Sequence, residues 1–256
     1  MGVVMNSEKL SDNNAEYYKM VKICGIEAGD VEEKIKHLLS DDNPKVYIES
    51  FPMEVHVIVK ASSEDDIARK NGKAIVKEIK SIFGSNIYAT DEDTSLEQSV
   101  VDLLTMNKLT VSTVESCTGG MVASRIIDVP GASEIFKEGF ITYSNKSKKN
   151  RMGVKKSTLS KYGAVSEQTA KEMAKGCTAL TKADVSISVT GIAGPTGESA
   201  DKPIGLVYIG CCVVNKVKVK KYIFSGNRTE VRKMATTAAL SLLRLCVLEY
   251  YSENNF

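Results

Sequence analysis

The sequence predicts an α/β protein of two units, a C-terminal α/β sandwich with a mixed sheet preceded by a small α+β unit. Residues 17–84 carry strand and helix patterns in the order β-α-β-β-α, and from residue 94 onward further strands alternate with helices. The charge also changes at this junction, from 12 Lys and Arg against 18 Asp and Glu up to Asp93 to 22 against 14 after it. We therefore expect a disordered tail at 1–15 and domains at 16–92 and 93–256.

Composition and cysteine usage favour a soluble protein of the cytoplasm. The chain has 256 residues, of which 43% are hydrophobic and 26% charged, as in ordinary globular domains. It has neither an apolar run of about 18 residues, which a membrane helix needs, nor a signal-peptide pattern at its start. Its six cysteines include no CxxC pair and have no histidine close in sequence, so we expect free, buried thiols rather than a zinc site or disulfides.

The first unit is predicted element by element. Residues 17–24 read as a strand, and Asp30 with Glu33 forms a capping box for a helix over 31–39. Strands follow at 45–50 and 54–61 around a Phe-Pro turn. A long helix begins after a Ser63 cap and ends at Gly84, and its inward stripe consists of Ile67, Ile75, Ile79 and Ile82.

This order of elements invites comparison with nucleic-acid-binding KH modules. Those modules grip backbone phosphates with a GxxG loop, but this unit has no GxxG and is acidic. Because an acidic surface repels phosphates, we expect no nucleic-acid binding and instead a structural or oligomerising role.

The second unit starts with a helix capped by Thr94 and Glu97, which leads into a strand at 109–114. A further helix is predicted over 166–180, then a strand around Val185–Val189 and a hairpin over 206–224 that turns at Asn215 and Lys216. The chain closes with a helix of regular apolar spacing.

The residue inventory restricts the chemistry of the second unit. Both histidines, His37 and His56, lie in the first unit, so a Ser-His-Asp or Cys-His site within the second unit is excluded. Ser133 lies at a Pro-Gly-Ala-Ser corner whose N–H groups could hold an oxyanion, and Tyr143 and Lys148 follow one strand later. A lysine beside the tyrosine would lower the pKa of the phenol and let it take the serine proton. From these residues alone, three ordinary surface side chains remain the alternative.

Two strand ends that carry glycines suggest a concave binding site for a small anion. In residues 115–120 (ESCTGG) a strand runs into a helix, where free N–H groups and the helix dipole could face a phosphate or carboxylate. Residues 190–195 (TGIAGP) form the second strand end, and Arg228 stands at the start of the last helix. The alternatives are a solvated charge for Arg228 and a nucleophilic role for Cys117, which has no histidine near it in sequence.

Six motifs follow one another in fixed order from residue 114 to residue 209, namely VESCTGG, DVPGAS, GFITYSNKSKKNRMGV, YGAVSEQTAKEMAKG, SVTGIAGPTG and KPIGLVYI. Together they resemble the C-terminal domain of the CinA (competence/damage-inducible) family, whose active members are nicotinamide-nucleotide amidases (NMN deamidases). Residues 16–92 also resemble the KH-like middle domain of full-length CinA proteins, and we expect no counterpart in this sequence to their amino-terminal molybdopterin-binding-like domain.

The resemblance implies hydrolysis of the carboxamide of nicotinamide mononucleotide to nicotinate mononucleotide and ammonia, without a metal or cofactor. It implies a catalytic set of Ser133 as nucleophile with Tyr143 and Lys148 as its activating pair. It also implies a homo-oligomer. The residues assigned to substrate binding are Ser116, Cys117, Thr118, Gly119, Thr190, Gly191 and Arg228.

Two departures from the family pattern and one alternative function accompany this interpretation. Ala132 stands where the family commonly has serine, and the loop after Pro195 carries fewer glycines than usual. The alternative is a catalytically silent relative that binds a nucleotide or serves as an oligomeric scaffold.

Overall fold

The first unit is a four-stranded antiparallel sheet backed by two helices. A computed structural model describes residues 17–62 and 65–254, so the tail predicted at 1–15 and the Ser63 cap lie outside the described residues. The strands lie in the order β2-β3-β1-β4. The elements are β1 (Tyr17–Cys24), α1 (Ala28–Ile35), β2 (Lys45–Phe51), β3 (Glu54–Ala61), α2 (Asp66–Phe83) and β4 (Ile87–Ala89).

Two helix starts in this unit differ from the prediction. Helix α1 begins at Ala28, ahead of Asp30, and its N-cap residue Glu27 makes no side-chain cap bond, so the capping box at Asp30 is wrong. Helix α2 is capped by Asp65, whose side chain accepts from the N–H groups of Ile67 and Ala68. Of the predicted inward stripe, Ile79 is fully buried, whereas Ile67 lies on the outer face and is 71% exposed.

The second unit is a five-stranded mixed sheet with helices on both faces, as the sequence predicts. Its strands lie in the order β6-β5-β7-β8-β9; β5 is parallel to β6 and β7, and β8 is antiparallel to β7 and β9. The elements are α3 (Leu96–Met106), β5 (Val111–Glu115), α4 (Met121–Ile127), β6 (Phe136–Ile141), α5 (Asn145–Met152), α6 (Lys156–Tyr162), α7 (Glu167–Thr181), β7 (Val185–Gly191), β8 (Leu206–Val213), β9 (Lys216–Ile223) and α8 (Arg228–Asn254).

Successive side chains of each strand point to opposite faces of this sheet, so that an apolar cluster forms on each face. Val111, Val185 and Ile187 pack in one apolar cluster with residues of α3, α4 and α8. Val114 points to the other face and packs with Met152 of α5 and residues of α7. The second unit therefore forms three layers. All six cysteines of the chain are free and buried, as predicted. Among the described residues no helix is long and apolar enough to cross a membrane.

The two units share part of their core. Cys24 and Tyr88 of the first unit belong to the same apolar cluster as α3 and α8. The buried amine of Lys22 donates to the carbonyl of Thr94 at 3.0 Å, and Arg244 of α8 donates to the carbonyl of Ile87 at 2.9 Å. The small sheet therefore packs directly against α8 and against the segment that leads into α3.

We expect Gly176→Ala to destabilise the fold by about 3 kcal/mol, the scale of overpacking a close contact. A Cβ on Gly176 of α7 would lie 1.9 Å from the backbone carbonyl oxygen of Met152, which cannot rotate away. Gly29→Ala in α1 is the matched control, since its Cβ would meet nothing within 4 Å and alanine favours a helix. Urea unfolding measures both; equal midpoints for the two variants would contradict the expectation.

Candidate active site

The carboxyl ends of three parallel strands bring most of the predicted site residues to one edge of the sheet. Ser116 follows β5, Tyr143 follows β6, and Thr190 lies near the end of β7. Parallel neighbours end on the same side, and such an edge is where α/β sheets bind ligands.

Ser116 and Lys148 form a buried pair at this edge. The Nζ atom of Lys148 lies 3.0 Å from the Ser116 hydroxyl oxygen, 2.8 Å from the Thr142 carbonyl oxygen and 3.4 Å from that of Tyr143. Lys148 is 1% exposed and Ser116 7%. Helix α5 positions the lysine. The Ser144 side chain caps the start of α5 by accepting a hydrogen bond from the Ser147 N–H. The helix begins soon after β6 and carries Lys148 on its buried side.

Burial lowers the pKa of Lys148 to about 8, because an ammonium loses its hydration in the protein interior. In its charged form the amine donates to all three oxygens, including the Ser116 hydroxyl. In its neutral form two N–H groups can still donate to the carbonyl oxygens, and the nitrogen lone pair can then accept the Ser116 hydroxyl proton. The pair therefore has the geometry of a nucleophile and its general base.

Glu115 occupies the helix start that was predicted to hold an anion. Its buried carboxylate accepts from the backbone N–H groups of Gly120 at 2.9 Å, Val122 at 3.2 Å and Ala123 at 2.9 Å. The prediction of free N–H groups facing a ligand anion is therefore wrong for Gly120, Val122 and Ala123, because the chain supplies its own anion to these donors. The result is a fixed turn that starts one residue before Ser116.

We expect Glu115→Gln to destabilise the protein by about 2 kcal/mol, the scale of hydrogen bonds to a charged group. The amide keeps one oxygen, but its NH₂ group would face a backbone donor. Chemical denaturation measures the change, with Glu138→Gln on the exposed edge strand as the control. Two variants as stable as the parent protein would show that the carboxylate does not hold this turn.

Arg232 of α8 holds the same turn from outside, donating to the carbonyls of Cys117 at 2.9 Å and Thr118 at 3.0 Å. The N–H groups of Cys117 and Thr118 donate to no oxygen in the described part of the chain and lie against the Cys117 sulfur. They are the backbone donors nearest in sequence to Ser116 that no oxygen of the described chain accepts from.

Cys117 is not suited to be the nucleophile. Burial raises the pKa of its thiol to about 11, so the reactive thiolate is absent at neutral pH. Thr118 beside it is fully buried, and its hydroxyl has no partner among the described residues. Gly119 has a φ of +60°, a conformation that favours glycine in this turn.

The structure places Ser133 at the wrong end of β6 for the predicted catalytic role. Ser133 lies in a 3₁₀ turn before the strand, whereas Tyr143 and Lys148 follow it, and six extended residues span about 17 Å. Neither the Lys148 amine nor the Tyr143 hydroxyl hydrogen-bonds Ser133 in the described part of the chain. The neighbouring Ala132 is buried and packs in the apolar cluster that includes residues of α3, α4 and α8.

Tyr143 is paired with Arg228 rather than with the lysine amine. One Arg228 nitrogen lies 3.2 Å from the Tyr143 hydroxyl, and another donates to the Gly194 carbonyl at 2.8 Å. Only the backbone carbonyl of Tyr143 approaches Lys148, so the predicted phenol–ammonium pair does not form. Tyr143 is 62% exposed, which leaves its ring and the arginine open to a ligand.

Thr190 and Gly191 support the site from the neighbouring strand. The buried Thr190 hydroxyl donates to the Ala164 carbonyl at 2.8 Å. A Cβ at Gly191 would approach the Leu206 carbonyl oxygen to 2.8 Å, so close strand packing requires glycine there. Both residues shape the edge of the sheet.

Sequence reasoning missed two residues, Glu115 and Arg232. A carboxylate that ends the wholly buried strand VSTVE is a signal, because buried charges need partners. Arg232 lies one helical turn after Arg228, on the same face of α8. That spacing indicates that both guanidinium groups approach the same edge.

Two family models match the chain. One, described as the CinA C-terminal domain, matches residues 93–247, and another, described as the damage-inducible protein CinA KH domain, matches residues 18–89. These matches cover the two units of the fold.

Relatives and solved structures agree with these models. A Clostridium beijerinckii protein named for competence-damage induction is 47% identical, and the match covers 90% of this chain and 57% of that protein. A CinA-like protein of Kosmotoga olearia is 44% identical, and the match covers 91% of this chain and 57% of that protein. The chain thus spans less than two thirds of these relatives. The crystal structure of the competence/damage inducible protein CihA from Agrobacterium tumefaciens matches 60% of this chain and 93% of its own, with a TM-score of 0.58 and 39% identity.

Proposed function

The chain belongs to the CinA family, and on that premise we propose that it is an amidase that hydrolyses the carboxamide of nicotinamide mononucleotide to nicotinate mononucleotide and ammonia. The observation that carries the reaction type is the 3.0 Å contact between the Lys148 amine and the Ser116 hydroxyl in a buried setting. A serine paired with a lysine base is a known variant of the acyl-transfer machinery. The substrate itself is proposed on the family resemblance.

The first half of the reaction forms an ester on Ser116. The neutral Lys148 amine takes the hydroxyl proton while the Ser116 oxygen attacks the carboxamide carbon. The N–H groups of Cys117 and Thr118 hydrogen-bond the resulting oxyanion. Lys148 then returns its proton to the amide nitrogen, the C–N bond breaks, and ammonia leaves.

The second half regenerates the enzyme by the same groups. Lys148 takes a proton from water, and the hydroxide attacks the ester carbon. The C–O bond to Ser116 breaks and the serine recovers its proton from Lys148. Overall, the amide and one water molecule give a carboxylate and an ammonium ion, and Lys148 carries out each proton transfer.

The exposed pair of Tyr143 and Arg228 offers complementary chemistry to a pyridine nucleotide. An open aromatic face can stack on a pyridinium ring, and a guanidinium can bind a phosphate. Arg228 contacts the glycine-bearing loop at Gly194 and the Tyr143 hydroxyl, and Tyr143 follows β6 at the same edge of the sheet as Ser116.

Ammonia release from nicotinamide mononucleotide by the purified, EDTA-treated protein tests the proposal. We expect stoichiometric ammonia and nicotinate mononucleotide. If calorimetry shows that the nucleotide binds but no ammonia appears, the amidase proposal is wrong and a silent nucleotide-binding relative takes its place.

A further inference from the structure

A cavity of about 280 Å³ lies between the two units, apart from the Ser116–Lys148 pair. The hairpin of β2 and β3 contributes Phe51, Glu54 and His56 to its wall. Helices α4 and α8 contribute Arg125, Lys233 and Thr237. The lining includes neither member of the catalytic pair.

One wall of the cavity is aromatic. The rings of Phe51 and His56 lie with their centroids 4.8 Å apart at a tilt of 48°. Phe51 is 48% exposed, a large apolar surface left open beside the cavity. Aromatic side chains in this arrangement offer a face on which a planar ring can stack.

The charges of the cavity favour an anion. Glu54, the one carboxylate among the described residues that line it, is already engaged by the His56 ring nitrogen at 2.8 Å and by the Tyr88 hydroxyl. Arg125 is paired with Glu97 and donates to the Thr237 hydroxyl at 3.0 Å. Lys233 is exposed and makes no ion pair or hydrogen bond in the described part of the chain.

We infer that this cavity binds a small planar aromatic anion, with its ring on Phe51 and His56 and its negative charge on Lys233 beside Arg125. The volume admits one ring system with an acidic substituent. Aromatic carboxylates and mononucleotides share this chemistry. A neutral ring would make the stacking contact but would leave the lysine without a partner.

The position of the cavity connects it to the reacting serine. Helix α4 begins at Met121, directly after the turn that carries Ser116, and Met121 lines the cavity. Lys233 follows Arg232, which holds the carbonyls of that turn. A ligand bound here contacts both elements that fix the turn, so we expect it to change the rate of amide hydrolysis. This regulatory consequence rests on the proposed function, whereas the binding itself does not.

The two histidines of the chain make the binding test direct. Proton NMR gives one Hε1 signal from each histidine; His56 lines the cavity, and His37 lies on the outside of the first unit beside Glu78. A His37→Gln variant assigns the signals. Nicotinate and AMP are titrated as anionic probes, with nicotinamide and adenosine as their neutral counterparts.

We expect at least one anion to shift the His56 signal and to bind at least tenfold more tightly than its neutral counterpart, while the His37 signal stays fixed. Lys233→Gln should remove that preference, and Phe51→Ala should weaken binding at least tenfold. Lys156→Gln, an exposed lysine on α6, is the control and should bind like the parent protein. The anion that shifts the signal shows whether the site takes a carboxylate or a phosphate.

The inference is wrong if neither anion moves the His56 signal, or if binding survives both Lys233→Gln and Phe51→Ala unchanged. Neither result depends on ammonia release. Failure of this site and failure of the amidase proposal can therefore be told apart.

Discussion

Ser116→Ala is expected to lower kcat for ammonia release by at least about three orders of magnitude, the general scale for loss of an acyl-forming nucleophile. The reason is geometric, because the Ser116 hydroxyl is the only side-chain oxygen that the Lys148 amine contacts within the described chain. Alanine keeps the backbone of the turn and removes the attacking atom. Ammonia release at saturating substrate measures the loss.

Ser133→Ala is the matched control and should keep its rate within about twofold of the parent protein, as surface substitutions do. Ser133 is exposed and lies at the far end of β6. Loss of activity in Ser133→Ala with full activity in Ser116→Ala would restore the assignment made from the sequence and overturn the one made from the structure.

Lys148→Met is expected to lower kcat by a comparable factor, and the pH profile of the parent protein should identify the reason. Lys148 acts as a base only when neutral, and burial places its pKa at about 8. Activity should therefore be low at acidic pH, rise tenfold per pH unit and level off above about pH 8. A stopped assay of kcat/KM between pH 6 and 10 measures this rise and the plateau above it.

Tyr143→Phe tests whether Lys148 or the Tyr143 phenol is the general base. If Lys148 is the base, removal of the Tyr143 hydroxyl leaves the midpoint of the profile in place. The main effect should be a higher KM, because the hydroxyl contacts Arg228 rather than the lysine amine. A midpoint that moves with Tyr143→Phe would contradict the assignment of the base to Lys148.

Much of the fold is predictable because its signals are local. Buried strands with strong apolar patterns and the Leu206–Ile223 hairpin lie where the sequence places them. Strand β4 is missed because three residues carry no periodicity, and the start of α1 is missed because an acidic pair resembles a capping box wherever it falls. The first error omits an edge strand of the small sheet, and the second displaces the start of a helix.

The site is only partly predictable because catalytic geometry depends on which end of a strand a residue occupies. Ser133 and Tyr143 are ten positions apart, and a strand separates them, so proximity in sequence becomes distance in space. Ser116 and Lys148 are 32 positions apart and meet because parallel strands end together. Glu115 shows a second limit, because a carboxylate at the end of a buried strand signals that it needs a partner but does not identify the helix start as that partner.

The most direct test of the central claim is to locate the covalent intermediate. Trypsin places Ser116 in the peptide 109–125 and Ser133 in the peptide 126–137, so one digest distinguishes the two serines. The parent protein is mixed with excess nicotinamide mononucleotide, quenched in acid at intervals and analysed by mass spectrometry. We predict the substrate acyl group as an ester on Ser116 in the first peptide. The same ester on the second peptide, or full turnover with 109–125 unmodified at every quench time, would contradict the account.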